Sequence, residues 1–212
     1  MRRVGMAAVL ALVGPRAARA ESKLYEPIRL DAGVTGSSVA VSDREGAGMV
    51  FEIKSMVRDD LAVGGRVEVA VMFGGRVGND ELPLDVAMAA CGLVKAEYYL
   101  ADDPIRPFVG LGAGGYTIGA QTIDSGPNTT GISQQTGRYV GVAPQLGIDL
   151  GPVRIAATYN AILGATLELH QTIGDVPQTT RVSQNYLSLE LSFRFAGGRA
   201  RASPTVPVVT AR

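Results

Sequence analysis

The sequence predicts an all-β protein, an eight-stranded antiparallel up-and-down transmembrane β-barrel, and three observations carry that expectation. The first is the stretch 153–170. Its odd positions Val153, Ile155, Ala157, Tyr159, Ala161, Leu163, Ala165, Leu167 and Leu169 are all apolar, while Arg154, Thr158, Asn160, Thr166, Glu168 and His170 fall on the even ones. Period two with one apolar face is a β-strand. Soluble strands usually stop near about five or six residues, whereas a tilted strand crossing a bilayer needs about 9–11. In lipid no water satisfies the backbone N–H and C=O groups of a strand edge, so such a strand implies a closed barrel. The second observation is that seven more segments alternate in the same way. The third is that the connections between them are by turns long and short, as in a barrel with tight turns at one end and longer loops at the other.

The first strand spans 27–35, with Ile28, Leu30, Ala32 and Val34 opposite Arg29, Asp31 and Thr35. A Gly-rich connection over 36–48 leads to the second, where Met49, Phe51 and Ile53 oppose Val50, Glu52 and Lys54. A tight turn at Arg58-Asp59-Asp60 precedes the third, with Leu61, Val63, Val67, Val69 and Val71 against Arg66 and Glu68. After a long connection over 74–83, the fourth sets Leu84, Val86, Met88, Ala90, Val94, Ala96 and Tyr98 against Asp85, Cys91, Lys95 and Glu97. An Asp-Pro turn at 101–104 leads to the fifth, Pro107, Val109, Leu111 and Ala113 against Arg106, Phe108 and three glycines. A long polar connection is expected over 123–136. The sixth strand opposes Val140, Val142, Pro144, Leu146 and Ile148 to Gln145, Gly147 and Asp149, and turns at Gly151-Pro152 into the long seventh. A last long connection, 171–182, precedes the eighth, 183–195, with Leu187, Leu189, Leu191, Phe193 and Phe195 opposite Ser188, Glu190, Ser192 and Arg194. Register is well specified, because a one-residue slip would turn every charge towards lipid.

Residues 1–20 read as a cleaved signal peptide: Arg2 and Arg3, an apolar run over 4–13 too short to span a bilayer as a helix, then Ala18-Arg19-Ala20. Domain organisation follows: signal peptide 1–20, barrel domain 21–195, and a disordered periplasmic tail 196–212 rich in Ala, Arg, Pro and Val. Without residues 1–20 the neutral chain becomes mildly acidic, 16 Lys+Arg against 20 Asp+Glu, which leaves no electrostatic case for nucleic acid. One cysteine and one histidine in the whole chain exclude a disulfide framework and a metal-ligand cluster. No cofactor is expected. The rival fold is a secreted soluble barrel with its apolar face turned inwards round a ligand. Gly and Ala on its would-be outer face, long connections at one end only and the length of 153–169 speak against it.

Two segments resemble a known family. Lys95-Ala-Glu-Tyr-Tyr-Leu followed by Arg106-Pro-Phe-Val-Gly-Leu-Gly-Ala-Gly-Gly-Tyr116 resembles the hairpin of small outer-membrane β-barrels of the OmpA, OmpX and OmpW type. Asn185-Tyr-Leu-Ser-Leu-Glu-Leu-Ser-Phe-Arg-Phe195 resembles their terminal strand, with Tyr186, Leu189, Leu191, Phe193 and Phe195 as the assembly signal. The resemblance covers about residues 26–195. It implies an outer-membrane location with periplasmic termini, contact with outer-membrane lipids and lipopolysaccharide, and delivery by the barrel-assembly machinery. The chain departs from the family in continuing past Phe195 and in lacking Trp, which leaves the interfacial girdles to Tyr98, Phe193 and Phe195 at the turn end and to Phe73 and Tyr139 at the loop end.

The inward face holds the chemistry. Arg29, Lys54, Arg66, Lys95, Arg106, Arg154 and Arg194 are set against Asp31, Glu52, Glu68, Asp85, Glu97, Asp149, Glu168 and Glu190, 7 positive to 8 negative. Near-balance predicts a mutually paired filling, since an unpaired buried charge is costly. The alternative is a narrow polar path, for which Gly110, Gly112, Gly114, Gly141 and Gly147 leave space on the same side. The expected function is therefore a non-enzymatic envelope or surface-interaction protein with a filled or narrow lumen. A narrow channel for small solutes or hydrophobic compounds is the alternative. A lipid hydrolase is a distant third. His170 and Glu168 supply a candidate base and its orienter, but no Gly-x-Ser-x-Gly elbow exists. Cys91 reads as a small lumen residue. Asp124, Ser125, Asn128, Thr129 and Thr130 lack the spacing of a calcium loop and read as solvated surface.

Overall fold

The structure, a computed structural model, describes residues 28–39, 44–74, 76–77, 80–81, 85–101, 105–126, 129–173 and 176–197. The expectations for residues 1–20 and for the tail after residue 197 lie outside the described residues. Among the described residues there are twelve strands: β1 (Ile28–Val39), β2 (Arg44–Arg58), β3 (Leu61–Phe73), β4 (Arg76–Val77), β5 (Asp80–Glu81), β6 (Asp85–Tyr99), β7 (Ile105–Gly126), β8 (Thr129–Leu150), β9 (Val153–Ile162), β10 (Thr166–Ile173), β11 (Val176–Ser183) and β12 (Tyr186–Gly197). Eight of them close into an antiparallel barrel in the order β1-β12-β9-β8-β7-β6-β3-β2, with the last strand pairing back onto the first. β4–β5 and β10–β11 are separate two-stranded hairpins at the loop end.

The closed wall follows from the alternation. Along β12, Tyr186, Ser188, Glu190 and Ser192 are buried, and Leu187, Leu189, Leu191 and Phe193 between them are exposed. The same inside-out pattern runs through β2, where Glu52, Lys54 and Met56 are buried and Phe51, Ile53 and Ser55 are exposed. The outer surface is thus apolar round the barrel, from Met49 and Val67 to Val94, Leu111, Leu146, Ile155 and Leu189. A soluble barrel has the opposite arrangement, and a charged inner face wrapped in aliphatic side chains is the transmembrane one. Phe51 and Phe195, with ring centroids 6.0 Å apart, lie together on this outer face.

Four expectations about the connections are corrected. Residues 36–39 and 44–48 are strand, not loop: β1 and β2 stay paired from Ile28↔Ser55 to Val39↔Arg44, because small residues such as Gly36 and Ala47 sit opposite each other without interrupting the ladder. Residues 123–126 and 129–136 are likewise β structure. β7 and β8 pair without a break from Ile105↔Leu150 to Gly126↔Thr129. They run past the barrel, since β6 accompanies β7 only to Thr122 and β9 accompanies β8 only from Gly141. The predicted strand 153–170 is two strands. β9 ends at Ile162, and Gly164 takes φ +73°, a left-handed conformation that ends the run and redirects the chain into β10. The connection 171–182 falls largely within the β10–β11 hairpin, in register from Thr166↔Ser183 to Ile173↔Val176. Two of the expected turns are present, Asp59-Asp60 and Gly151-Pro152, each of two residues, and the Asp-Pro turn expected at 101–104 lies largely outside the described residues.

Candidate functional site

Strand parity aims the charged side chains inwards, and barrel closure brings them together. Of the lumen charges expected from sequence, Arg29, Asp31, Glu52, Lys54, Arg66, Glu68, Lys95, Glu97, Arg106, Asp149, Arg154 and Glu190 are buried, and Arg194 is partly buried. Glu168 is a correction: it sits on β10, outside the closed wall, where its register partner is Arg181. His170 is on the same hairpin, opposite Thr179, so the sequence argument that placed this pair on the lumen face of a barrel strand no longer applies. The side chain of Asp85 lies outside the described residues.

The charges form one continuous set of pairs. Arg154 on β9 is bonded to Glu97, lies 3.4 Å from both Asp149 and Glu190, and stacks its guanidinium 3.8 Å above the Phe108 ring. Arg66 reaches Glu52 at 2.7 Å, Glu68 at 2.7 Å and Glu190 at 2.5 Å. Lys95 bridges Glu52 at 2.5 Å and Glu97 at 2.6 Å, and donates to Gln145 at 2.7 Å. Lys54 contacts Asp31, Glu52 and Glu97 at 3.0, 2.8 and 3.1 Å. Arg29 joins Asp31 to Asp149, and Arg194 lies 3.7 Å from Asp149. Every carboxylate in this set meets at least one cation, which is how charges persist where water is scarce. Arg106 closes the turn end. It donates to the Asp59 carbonyl at 2.5 Å and lies 4.0 Å above the Tyr99 ring.

Towards the loop end the filling changes character. Ser188 donates to Glu68 at 2.6 Å, Asn160 to Ser188 at 3.2 Å, and Tyr116 to Asn160 at 2.9 Å. Above them Val39, Met72, Ala87, Ala89, Leu93, Ile118, Ile162 and Tyr186 form an apolar cluster that also takes in Cys91. Cys91 is thus a small packed residue of the lumen. The space expected beside the lumen glycines is occupied. A Cβ at Gly147 would stand 2.5 Å from the Phe108 ring, and one at Gly141 would stand 2.8 Å from the Tyr116 ring, so these glycines make room for aromatic side chains. A cavity of about 300 Å³ lies nearer the mouth, lined by residues including Ile118, Tyr139, Thr166 and Gln184.

Sequence reasoning missed several of these residues. Arg44, buried and donating to Gln184 at 2.9 Å, was hidden in a segment read as loop, although it shares the even parity of Glu52 and Lys54. Gln145, Asn160, Ser188 and Tyr116 carried no charge to draw attention, but their parity was legible. Of the assembly-signal residues, Leu189, Leu191, Phe193 and Phe195 face outwards, whereas Tyr186 is buried in the lumen. The expected girdle residues Tyr98 and Phe73 are exposed on the wall. Tyr139 is a correction. Its odd parity matches Gly141 and Ala143, so its ring turns inwards, lying over Gly137 and against the apolar cluster.

Fold and lumen together define a small closed transmembrane β-barrel. No protein-family model and no curated protein matches the chain. Solved structures are similar in fold. The outer membrane protein OprG from Pseudomonas aeruginosa is 14% identical, with a TM-score of 0.49 over 82% of this chain and 97% of that one. The attachment invasion locus protein Ail of Yersinia pestis is 13% identical, with a TM-score of 0.40 over 80% of this chain and 99% of that one. The outer membrane protein AlkL is 16% identical, with a TM-score of 0.42 over 89% and 99%.

Proposed function

We propose that the chain is an exported outer-membrane β-barrel whose lumen is closed, a non-enzymatic envelope protein that meets surface partners through its loop-end hairpins. In this reading residues 1–20 are removed on export, the termini are periplasmic, lipopolysaccharide and phospholipid surround the wall, and the outward residues of β12 are presented to the assembly machinery. The observation that supports a closed lumen is the continuous pairing from Arg29 to Glu190, sealed by Arg106 at one end and by the Tyr116 layer at the other. An ion crossing it would have to separate several buried pairs, each costing a few kcal/mol to break.

Planar-bilayer conductance of the refolded mature protein tests this, after heat-dependent gel mobility has established a folded barrel. Silence from inserted protein is the expected result. Discrete conductance steps would overturn the closed lumen and make the same charges a selectivity filter.

One observation favours the alternative of passage for hydrophobic compounds. The β8–β9 ladder pairs Gly141↔Ile162, Val142↔Ala161 and then Gln145↔Thr158, leaving a two-residue interruption at Ala143-Pro144. Proline has no N–H to give, so Pro144 donates no ladder bond to a neighbouring strand. Uptake of a hydrophobic dye into proteoliposomes that falls when the interruption is closed by Pro144→Val would favour this reading.

A further inference from the structure

At the loop end the barrel wall forks. The β8–β9 ladder finishes where the Leu163 amide donates to the Val140 carbonyl at 2.9 Å, and Gly164 then turns the chain into β10 while β8 continues paired with β7. The root of the fork is fixed: the Gln184 backbone amide donates to the Ala165 carbonyl at 3.0 Å, and the Asn185 side chain accepts from the Ile162 amide at 2.8 Å. The cavity of about 300 Å³ lies in this fork, with Ile118, Gln135, Gly137 and Tyr139 on the β7–β8 side and Thr166 and Gln184 on the other. Its floor is sealed, because Ile118 belongs to the apolar cluster and Tyr139 packs against that cluster. Its rim is open, because Gln135 and Thr166 are exposed.

The lining restricts what can bind. None of the described residues that line the cavity is charged, so an ionic ligand would leave water without a counter-charge, which is costly. A purely apolar ligand would strip water from the amides of Gln135 and Gln184 and the hydroxyls of Tyr139 and Thr166 and return no hydrogen bond. An uncharged ring bearing several hydroxyls suits both demands. A carboxamide carries donors and an acceptor together and so serves adjacent hydroxyls, and a tyrosine ring covers C–H surface while its own hydroxyl stays polar. Two of these groups are positioned from behind. Arg44, 1% exposed, donates to Gln184 Oε1 at 2.9 Å, which orients that amide. Gly137 makes room for the Tyr139 ring, since a Cβ there would stand 2.3 Å from the Tyr139 hydroxyl oxygen. We propose that the fork is a binding site for a neutral saccharide of one or two rings, in keeping with a volume at the small end of ligand sites, which start near about 300 Å³. The inference rests on the reading that the loop end meets surface partners, and it gives those partners a chemistry.

Saturation-transfer NMR on the refolded full-length mature protein tests this, in a sugar-free zwitterionic detergent and after heat-dependent gel mobility has established a folded barrel. The probes are the methyl glycosides of glucose, galactose and mannose, N-acetylglucosamine, glucose 6-phosphate and cyclohexylmethanol. At least one neutral sugar is expected to bind with a dissociation constant of about 1–10 mM, as befits a single small ring in an open site. Gln135→Ala at the exposed rim and Gly137→Ala, which displaces the Tyr139 ring, should each weaken that binding about tenfold and leave gel mobility unchanged. Four results would overturn the proposal: no neutral sugar bound by the folded parent, unchanged binding in both variants, preference for the phosphate, or preference for the apolar alcohol. Binding in detergent does not depend on which end of the barrel faces outwards or on whether the lumen conducts. A failure here is therefore a failure of the site alone, and conductance steps with sugar binding intact would remove the closed lumen and leave the site standing.

Discussion

Arg154 shows how one side chain organises the lumen. Its guanidinium meets Glu97, Asp149 and Glu190 from three other strands and covers the Phe108 ring, so it ties β9 to β6, β8 and β12. Removing one member of a buried ionic set leaves the rest uncompensated, which costs about 3–5 kcal/mol. Arg154→Met preserves much of the volume over Phe108 and isolates the charge effect. The expected outcome is a loss of about that size in equilibrium urea unfolding in lipid vesicles. Adding Glu97→Gln to the same chain should recover part of it, since it restores the charge balance of the buried set, and an additive double variant would contradict the idea of a coupled set. Arg58, by contrast, pairs with Asp60 at the solvent-exposed turn end, where an ion pair contributes little.

Strands are where the sequence was most and least legible. Period-two alternation places every barrel strand on the correct face, because a pleated strand has two sides only and one of them is apolar throughout. The ends of strands were harder. Gly36, Ser37 and Ser38 read as loop by composition, yet they pair in register with Ala47, Gly46 and Glu45, since a ladder needs backbone groups and no particular side chains. The break after Ile162 was invisible for the converse reason: alternation continues through Leu163, Gly164 and Ala165, and only the positive φ of Gly164 stops the strand. The charged part of the site was legible from parity. Its aromatic part was not, because the inward glycines looked like empty space when read one strand at a time. In the closed barrel the Phe108 ring on β7 fills the place beside Gly147 on β8, its register partner. Gly147→Val therefore forces the ring and the Ile155 carbonyl, each 2.5 Å from the new Cβ, to move. Overpacking of this kind costs about 1–3 kcal/mol. Gly92→Ala on the outer face meets nothing within 4 Å and should refold like the parent. The fraction of heat-resistant, fast-migrating protein after refolding compares the two.

At the scale of the whole molecule, the polarity of the barrel is inverted relative to a soluble protein, and this inversion can be tested without knowing any ligand. Val94 on β6 points away from the lumen and is 70% exposed, flanked on its own strand by Gly92 and Ala96, while its neighbours Leu93 and Lys95 are buried inside. If the outer wall faces water, Val94→Arg is a surface substitution, within about 0.5 kcal/mol of neutral. If it faces the hydrocarbon of a bilayer, an arginine there costs about 2–4 kcal/mol near the midplane and progressively less towards either interface. Arginine placed in turn at Val94, at Tyr98 near the turn end and at Val86 nearer the loop end should therefore give a depth profile in vesicles, with its maximum at Val94 and smaller losses at the other two. The same three variants in detergent, where the belt around the barrel is thin and deformable, should lie closer together. A flat profile in vesicles would mean that no hydrocarbon layer surrounds the wall. A profile peaked at Val94 would fix the membrane midplane on β6, and through the register of the closed sheet on every other strand.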